Sequence, residues 1–111
     1  MSAPTLLERT PRWEHWQFLN GVTAADLGDW IDTADFAEGS ITITIAVTGT
    51  VHVCALDTED QPAAATNGNQ VGANITASET YSCEHLPRWL KIRCSAAGGA
   101  VSARGVFRRA V

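Results

Sequence analysis

The clearest pattern in the chain is a strict alternation of apolar and polar residues, Ile41–Thr42–Ile43–Thr44–Ile45–Ala46–Val47. A period of two among β-prone residues belongs to a strand with one buried face and one solvated face. Gly39–Ser40 opens this run, and Thr48–Gly49–Thr50 separates it from a second one, Val51–His52–Val53–Cys54–Ala55–Leu56. The two runs read as a hairpin. A two-residue turn at Thr48–Gly49 sets Ile45 opposite His52 and Ile43 opposite Cys54. A three-residue loop sets Ile45 opposite Val53 and Ile43 opposite Ala55, and this is the expected register. A slip of one residue would carry the whole apolar set to the other face.

A second alternation, Arg88–Trp89–Leu90–Lys91–Ile92–Arg93–Cys94, follows Pro87. Leu90, Ile92 and Cys94 should face the core, with Arg88, Lys91 and Arg93 turned away. Trp89 shares the polar face with Lys91 and Arg93, which makes it a candidate exposed aromatic in a contact patch. Shorter β-prone stretches fall at 13–19, ending at Asn20–Gly21, and at 30–33, 71–75, 80–83 and 100–106, where Gly105 could seat a bulge. Between them lie a polar turn at 57–62 and a small-residue loop at 63–69, which reads as the most flexible tip. Residues 1–12 show no periodicity and read as an N-terminal arm, leaving 13–111 as the folded domain. Seven to eight short antiparallel strands with turn signals between them predict an all-β, single-domain β-sandwich, jelly-roll-like in plan. The expected core is Ile41, Ile43, Ile45, Val47, Val51, Val53, Leu90 and Ile92.

Composition narrows the function classes. At 111 residues the chain fits one domain able to bury a core without staples. Its beginning shows no basic segment followed by an apolar run, so folding in a cytoplasm is expected, and no apolar run is long enough to span a membrane. Cys54, Cys83 and Cys94 are an odd number and read as buried free thiols, although a Cys83–Cys94 bridge is open if the fold brings them close. Charge is segregated: between Trp13 and Pro87 there is no Lys or Arg, while from Arg88 onward every charged side chain is basic. Such a split marks either an interaction surface or interleaved strands that neutralise one another. The net charge of −4 argues against a nucleic-acid partner.

Little in the chain carries chemistry. The acids Asp26, Asp29, Asp32, Asp35 and Glu38 recur every three residues, but apolar residues interrupt them and the order does not match a calcium loop. Cys83–Glu84–His85 with Cys94 lacks the close ligand pairs of a zinc site. Nucleophile elbows and phosphate or dinucleotide loops are absent. No metal, no cofactor and no enzymatic activity are expected.

Two stretches carry a resemblance. Trp30–Ile31–Asp32–Thr33–Ala34–Asp35–Phe36–Ala37–Glu38–Gly39–Ser40–Ile41–Thr42–Ile43, and Arg88–Trp89–Leu90–Lys91–Ile92–Arg93 before a final Gly-bounded strand, resemble small virion proteins of tailed bacteriophages. In size and strand plan, residues 23–109 are similar to the capsid decoration, or staple, proteins of Epsilon15-type short-tailed phages. That resemblance implies a jelly-roll-like fold, no catalysis, and attachment to the outside of a shell of major capsid protein. It transfers no individual binding residue.

The expected function is therefore capsid decoration that bridges neighbouring subunits, by a homodimer at two-fold positions on the virion surface. Candidate contacts are Leu6 and Leu7 on the arm, Trp89, Lys91 and Arg93 on one strand, and Arg104, Arg108 and Arg109 on the last. Alternatives are a tail or head-completion component, and a carbohydrate-binding module using Trp13, Trp16 and Trp89 as stacking platforms.

Overall fold

The computed structural model describes residues 2–84 and 86–109, and every regular element among them is a strand. There are nine: β1 (Thr5–Arg9), β2 (Trp13–Val22), β3 (Ile31–Asp32), β4 (Phe36–Ile45), β5 (Gly49–Leu56), β6 (Asn69–Ile75), β7 (Glu79–Cys83), β8 (Trp89–Ala97) and β9 (Val101–Arg109). They form a five-stranded sheet in the order β1-β2-β9-β4-β7 and a four-stranded sheet in the order β3-β8-β5-β6. All pairings are antiparallel. With β1 set aside, successive strands alternate between the sheets except at β5 and β6, which are paired neighbours in one sheet, and this is the double Greek key of a jelly roll. The fold class expected from the strand spacing is thus the one formed.

The expected hairpin is not. β4 pairs with β7 and β9 while β5 pairs with β6 and β8, so the chain crosses between sheets at 46–48. Both runs carry an apolar face, and the crossing sets those faces against each other through the sandwich. Ile41 and Ile43 share one core with Val51, Val53, Leu90, Ile92, Val101 and Phe107. A flat hairpin would have left both faces needing a further layer. Six of the eight expected core residues are fully buried; Ile45 lies at the rim, and Val47, on the crossing, is 71% exposed.

Gly105 seats no bulge. It pairs regularly with Trp16 and Ile41, and the irregularity falls on β2, where Phe18 and Leu19 are both buried. A Cβ at Gly105 would stand 2.8 Å from the Phe107 ring, and one at Gly39 2.5 Å from it. The two glycines clear the space that this ring fills, edge-on to Phe18 and stacked on Phe36.

Of the stretch 1–12, expected as an arm outside the sandwich, residues 5–9 instead form an edge strand. β1 pairs with β2, and the Ser2 amide and hydroxyl both donate to the Asp26 carboxylate, at 2.7 and 2.5 Å. An edge strand needs no full apolar alternation, which is why its sequence shows none. Leu6 is half-buried opposite Trp16, and Leu7 is 42% exposed where the β1 register slips.

The outer face of the four-stranded sheet is covered in part, over β8 and the end of β5, by the chain's own segment 57–68. Beneath it Trp30, Cys54 and Trp89 form a second apolar cluster with Leu56. The indole N–H of Trp30 donates to the Ala63 carbonyl at 3.1 Å, and that of Trp89 to Thr58 at 3.0 Å. Lys91, fully buried, donates from Nζ to the carbonyls of Ala64 and Thr66 at 3.0 and 2.8 Å, with its ammonium 5.0 Å above the Trp30 ring. Gly68 closes the segment at φ +64°, where a Cβ would strike the Trp30 ring and the Ala55 carbonyl. Burial pushes the Lys91 ammonium below the ordinary lysine range, against the opposing pull of Cys54 and Asp29. The loop expected to be the most flexible tip is therefore pinned by three buried donors.

Three mutational outcomes follow. Ile43→Ala should cost about 2–5 kcal/mol in chemical denaturation, while Thr44→Ala and Val47→Ala should change stability little. Lys91→Met keeps the stem but leaves two loop carbonyls without a donor. It should cost about 1–3 kcal/mol and speed amide exchange in residues 57–68. Unchanged exchange there would show that water replaces the ammonium.

Candidate functional site

The fold scatters the residues expected to form one contact patch, because β8 and β9 lie in different sheets. Trp89 and Lys91 are buried under the 57–68 segment and present no exposed contact. Arg93 is half-buried beyond them on the same face, and its buried Nε has no hydrogen-bond partner among the described residues. Arg104 and Arg108 lie exposed on the opposite side of the molecule, on the outer face of the five-stranded sheet. Arg109, one residue on, turns to the inner side, where its guanidinium stands 5.2 Å over the Phe36 ring. Nor do the three tryptophans share a platform: Trp13 faces outward, Trp16 inward, and Trp89 lies under the covering segment. The thiols of Cys54, Cys83 and Cys94 are free and buried. Among the described residues no group of His, Cys, Asp and Glu converges as metal ligands, and His85 lies outside them.

Two surfaces remain. One is the bare outer face of the five-stranded sheet. Its cross-strand rows run Trp13–Arg108–Glu38, His15–Val106–Ser40 and Gln17–Arg104–Thr42. Arg108 reaches Glu38 only at 3.9 Å, and Arg104 has no ion pair among the described residues. At one end Arg12, Trp13, Ala37, Glu38, Arg108 and Arg109 surround a shallow hollow of about 350 Å³.

The second is a groove of about 620 Å³ along the side where β1 and β3 are the outermost strands of their sheets. Arg9, Glu14, Trp16, Phe36 and Arg109 line it from the five-stranded sheet, and Asp32, Asp35 and Gln61 contribute from across and above. Glu14 organises the wall. It is 5% exposed and accepts from Trp16 Nε1 at 3.0 Å, from Arg9 Nε at 2.9 Å, and from Arg109 Nη2. Burial alone would raise its pKa, but the donors Trp16, Arg109 and Arg9 together outweigh that and hold the carboxyl below its usual range. Sequence reasoning overlooked Glu14. Its signal was a carboxylate in step with Trp16 and Phe18 on the inward face of an aromatic strand.

The sequence matches no protein-family model and no curated protein. In three dimensions the chain is similar to the SPBc2 prophage-derived protein YomS. The TM-score is 0.67 at 14% identity, over 94% of this chain and 99% of that one. At this identity the likeness is one of fold.

Glu14 gives a pH signature with a definite sign. Its folded pKa lies below the unfolded one, so its contribution is present above the unfolded carboxylate pKa and is lost as pH falls through the folded value. Glu14→Gln should cost about 1–3 kcal/mol at neutral pH. That difference should shrink when both proteins are unfolded by urea near about pH 3. A difference that stays constant with pH would show that the carboxylate is not what holds the wall.

Proposed function

We propose that this protein is a non-enzymatic structural component of a tailed-phage particle: a decoration protein that binds the outer surface of the major capsid shell and bridges neighbouring subunits. The observation that carries this reading is the whole-length likeness of the jelly roll to a prophage-derived chain. The two outer faces of the sandwich favour one orientation. The four-stranded sheet is covered in part by its own 57–68 segment, whereas the five-stranded sheet is bare and offers Trp13, Val106 and two arginines on a flat strand surface. A domain of this size can present about 800 Å² to a partner, enough for a specific contact. In that contact Trp13 is the apolar anchor. Arg104 and Arg108 face acidic groups on the shell and steer encounter, an effect screened over about 8–10 Å in physiological salt. Two copies about a two-fold axis would double the attachment points and gain avidity without a new type of contact.

Co-sedimentation with particles that lack the protein tests the reading, with cryo-electron microscopy to locate bound density. Trp13→Ala should weaken attachment by about 1–2 kcal/mol or more. Arg104→Glu with Arg108→Glu should slow attachment, most at low salt. Parent-like decoration by both variants would show that this face is not the interface. Density on the tail or the neck in place of the shell would move the protein to a tail or head-completion role.

A further inference from the structure

The groove between β1 and β3 is not used by the docking face, and its chemistry points elsewhere. We propose that it is a binding site for a short neutral oligosaccharide. Its volume of about 620 Å³ falls within the roughly 300–1,000 Å³ typical of small-molecule sites.

The floor is aromatic and held in place. Trp16 is half-buried, its N–H is committed to Glu14, and no cation covers its ring among the described residues. It can offer a ring face to the C–H side of a pyranose. Trp30, Trp89 and Phe36 cannot do so as freely, since Lys91, Arg88 and Arg109 stand over them.

The walls supply both halves of what sugar hydroxyls need. Asp35 and Gln61 make no side-chain hydrogen bonds among the described residues, and Asp32 is engaged only by the Ala34 amide and, at 3.3–3.4 Å, by surface-exposed Arg88. These carboxylates accept. Arg9 commits Nε to Glu14, which leaves its terminal amino groups to donate, and the Gln61 amide does both.

Charge disfavours a ligand of a single sign. An anion entering the groove would meet Asp32 and Asp35, and a cation would meet Arg9 and Arg109, so an uncharged polyol fits best. An extended peptide would need a regular strand edge to pair with. Here β1 slips register between Leu6 and Glu8, and β3 is only two residues long.

The test is a titration of the ¹⁵N-labelled full chain with cellotriose, maltotriose and tri-N-acetylchitotriose, followed by nuclear magnetic resonance. At least one of them should move the Trp16 indole N–H and the backbone amides of 32–36 saturably, with the Trp13 indole still. Asp35→Ala combined with Gln61→Ala removes two exposed side chains, should leave the folded spectrum intact, and should weaken binding about tenfold or more. Arg104→Glu with Arg108→Glu should leave sugar binding unchanged, which separates this site from the capsid reading. No shift with any of the three sugars would overturn the proposal, as would equal shifts at Trp13 or undiminished binding by the double variant. A neutral threonine hexapeptide moving the same resonances more tightly than any sugar would assign the groove to a protein partner and also overturn it.

Discussion

An apolar face repeated on successive strands can be buried only against another layer, and that constraint shapes most of this molecule. β4 and β5 both carry such a face, and each finds the other by lying in opposite sheets. Beyond the crossing β6 stays beside β5, and β7, β8 and β9 then alternate between the sheets under the same demand. Val101, Ala103 and Phe107 of β9 complete one inner face, and Leu90, Ile92 and Cys94 of β8 the other. The centre is tight enough that glycines stand at 39 and 105 to admit the Phe107 ring.

The same constraint makes the two outer faces unequal. β5 and β8 are buried on both sides, because Cys54, Trp89 and Lys91 would otherwise leave apolar surface in water. The chain solves this with segment 57–68, and the solution needs hydrogen bonds as well as area. A covering loop without secondary structure carries carbonyls that must find donors. Two indoles and one ammonium provide them from below. The five-stranded sheet has no such cover; most of its outer positions are polar, among them Gln17, Glu38, Ser40, Thr42, Arg104 and Arg108, and Trp13 and Val106 are the apolar exceptions among the cross-strand rows. The acidic middle and basic end of the chain interleave across the strands, and Arg109 with Glu14, Arg88 with Asp32 and Arg108 with Glu38 are where they meet.

Period-two alternation made the class of fold and most strand positions legible. Ile41, Ile43, Leu90 and Ile92 were placed on the core face for the right physical reason. Alternation describes one strand against its two faces, however, and is silent on which strand lies beside it. A Gly-broken pair of runs therefore looked like a hairpin when the connection was a crossing between sheets. The same limit misplaced Trp89 and Lys91: alternation put them on the outer face correctly, but nothing in the local pattern showed that a distant small-residue segment covers that face. β1 escaped notice because an edge strand beside a groove is under little pressure to alternate. The groove itself was invisible in sequence, since Arg9, Glu14, Asp35 and Arg109 come from β1, β2, the turn before β4 and β9 and meet only in the fold.

Glu14 shows how closely the fold and the groove are tied. A buried carboxylate is tolerable only where donors converge on it, and here they come from β1, β2 and β9 at once. The group that holds the edge strand to the sheet is therefore also the group that fixes the indole of Trp16 and the guanidiniums of Arg9 and Arg109 along one wall. Side chains fixed in this way lose little further freedom when something docks against them, and that saving favours binding to a preformed surface. Surface arginines such as Arg104 on the flat face have no such anchor and would have to be ordered by the partner. The two surfaces thus differ in kind. One is rigid and concave, shaped by a buried charge, and the other is broad and adaptable, suited to a large protein partner whose own contacts supply the order.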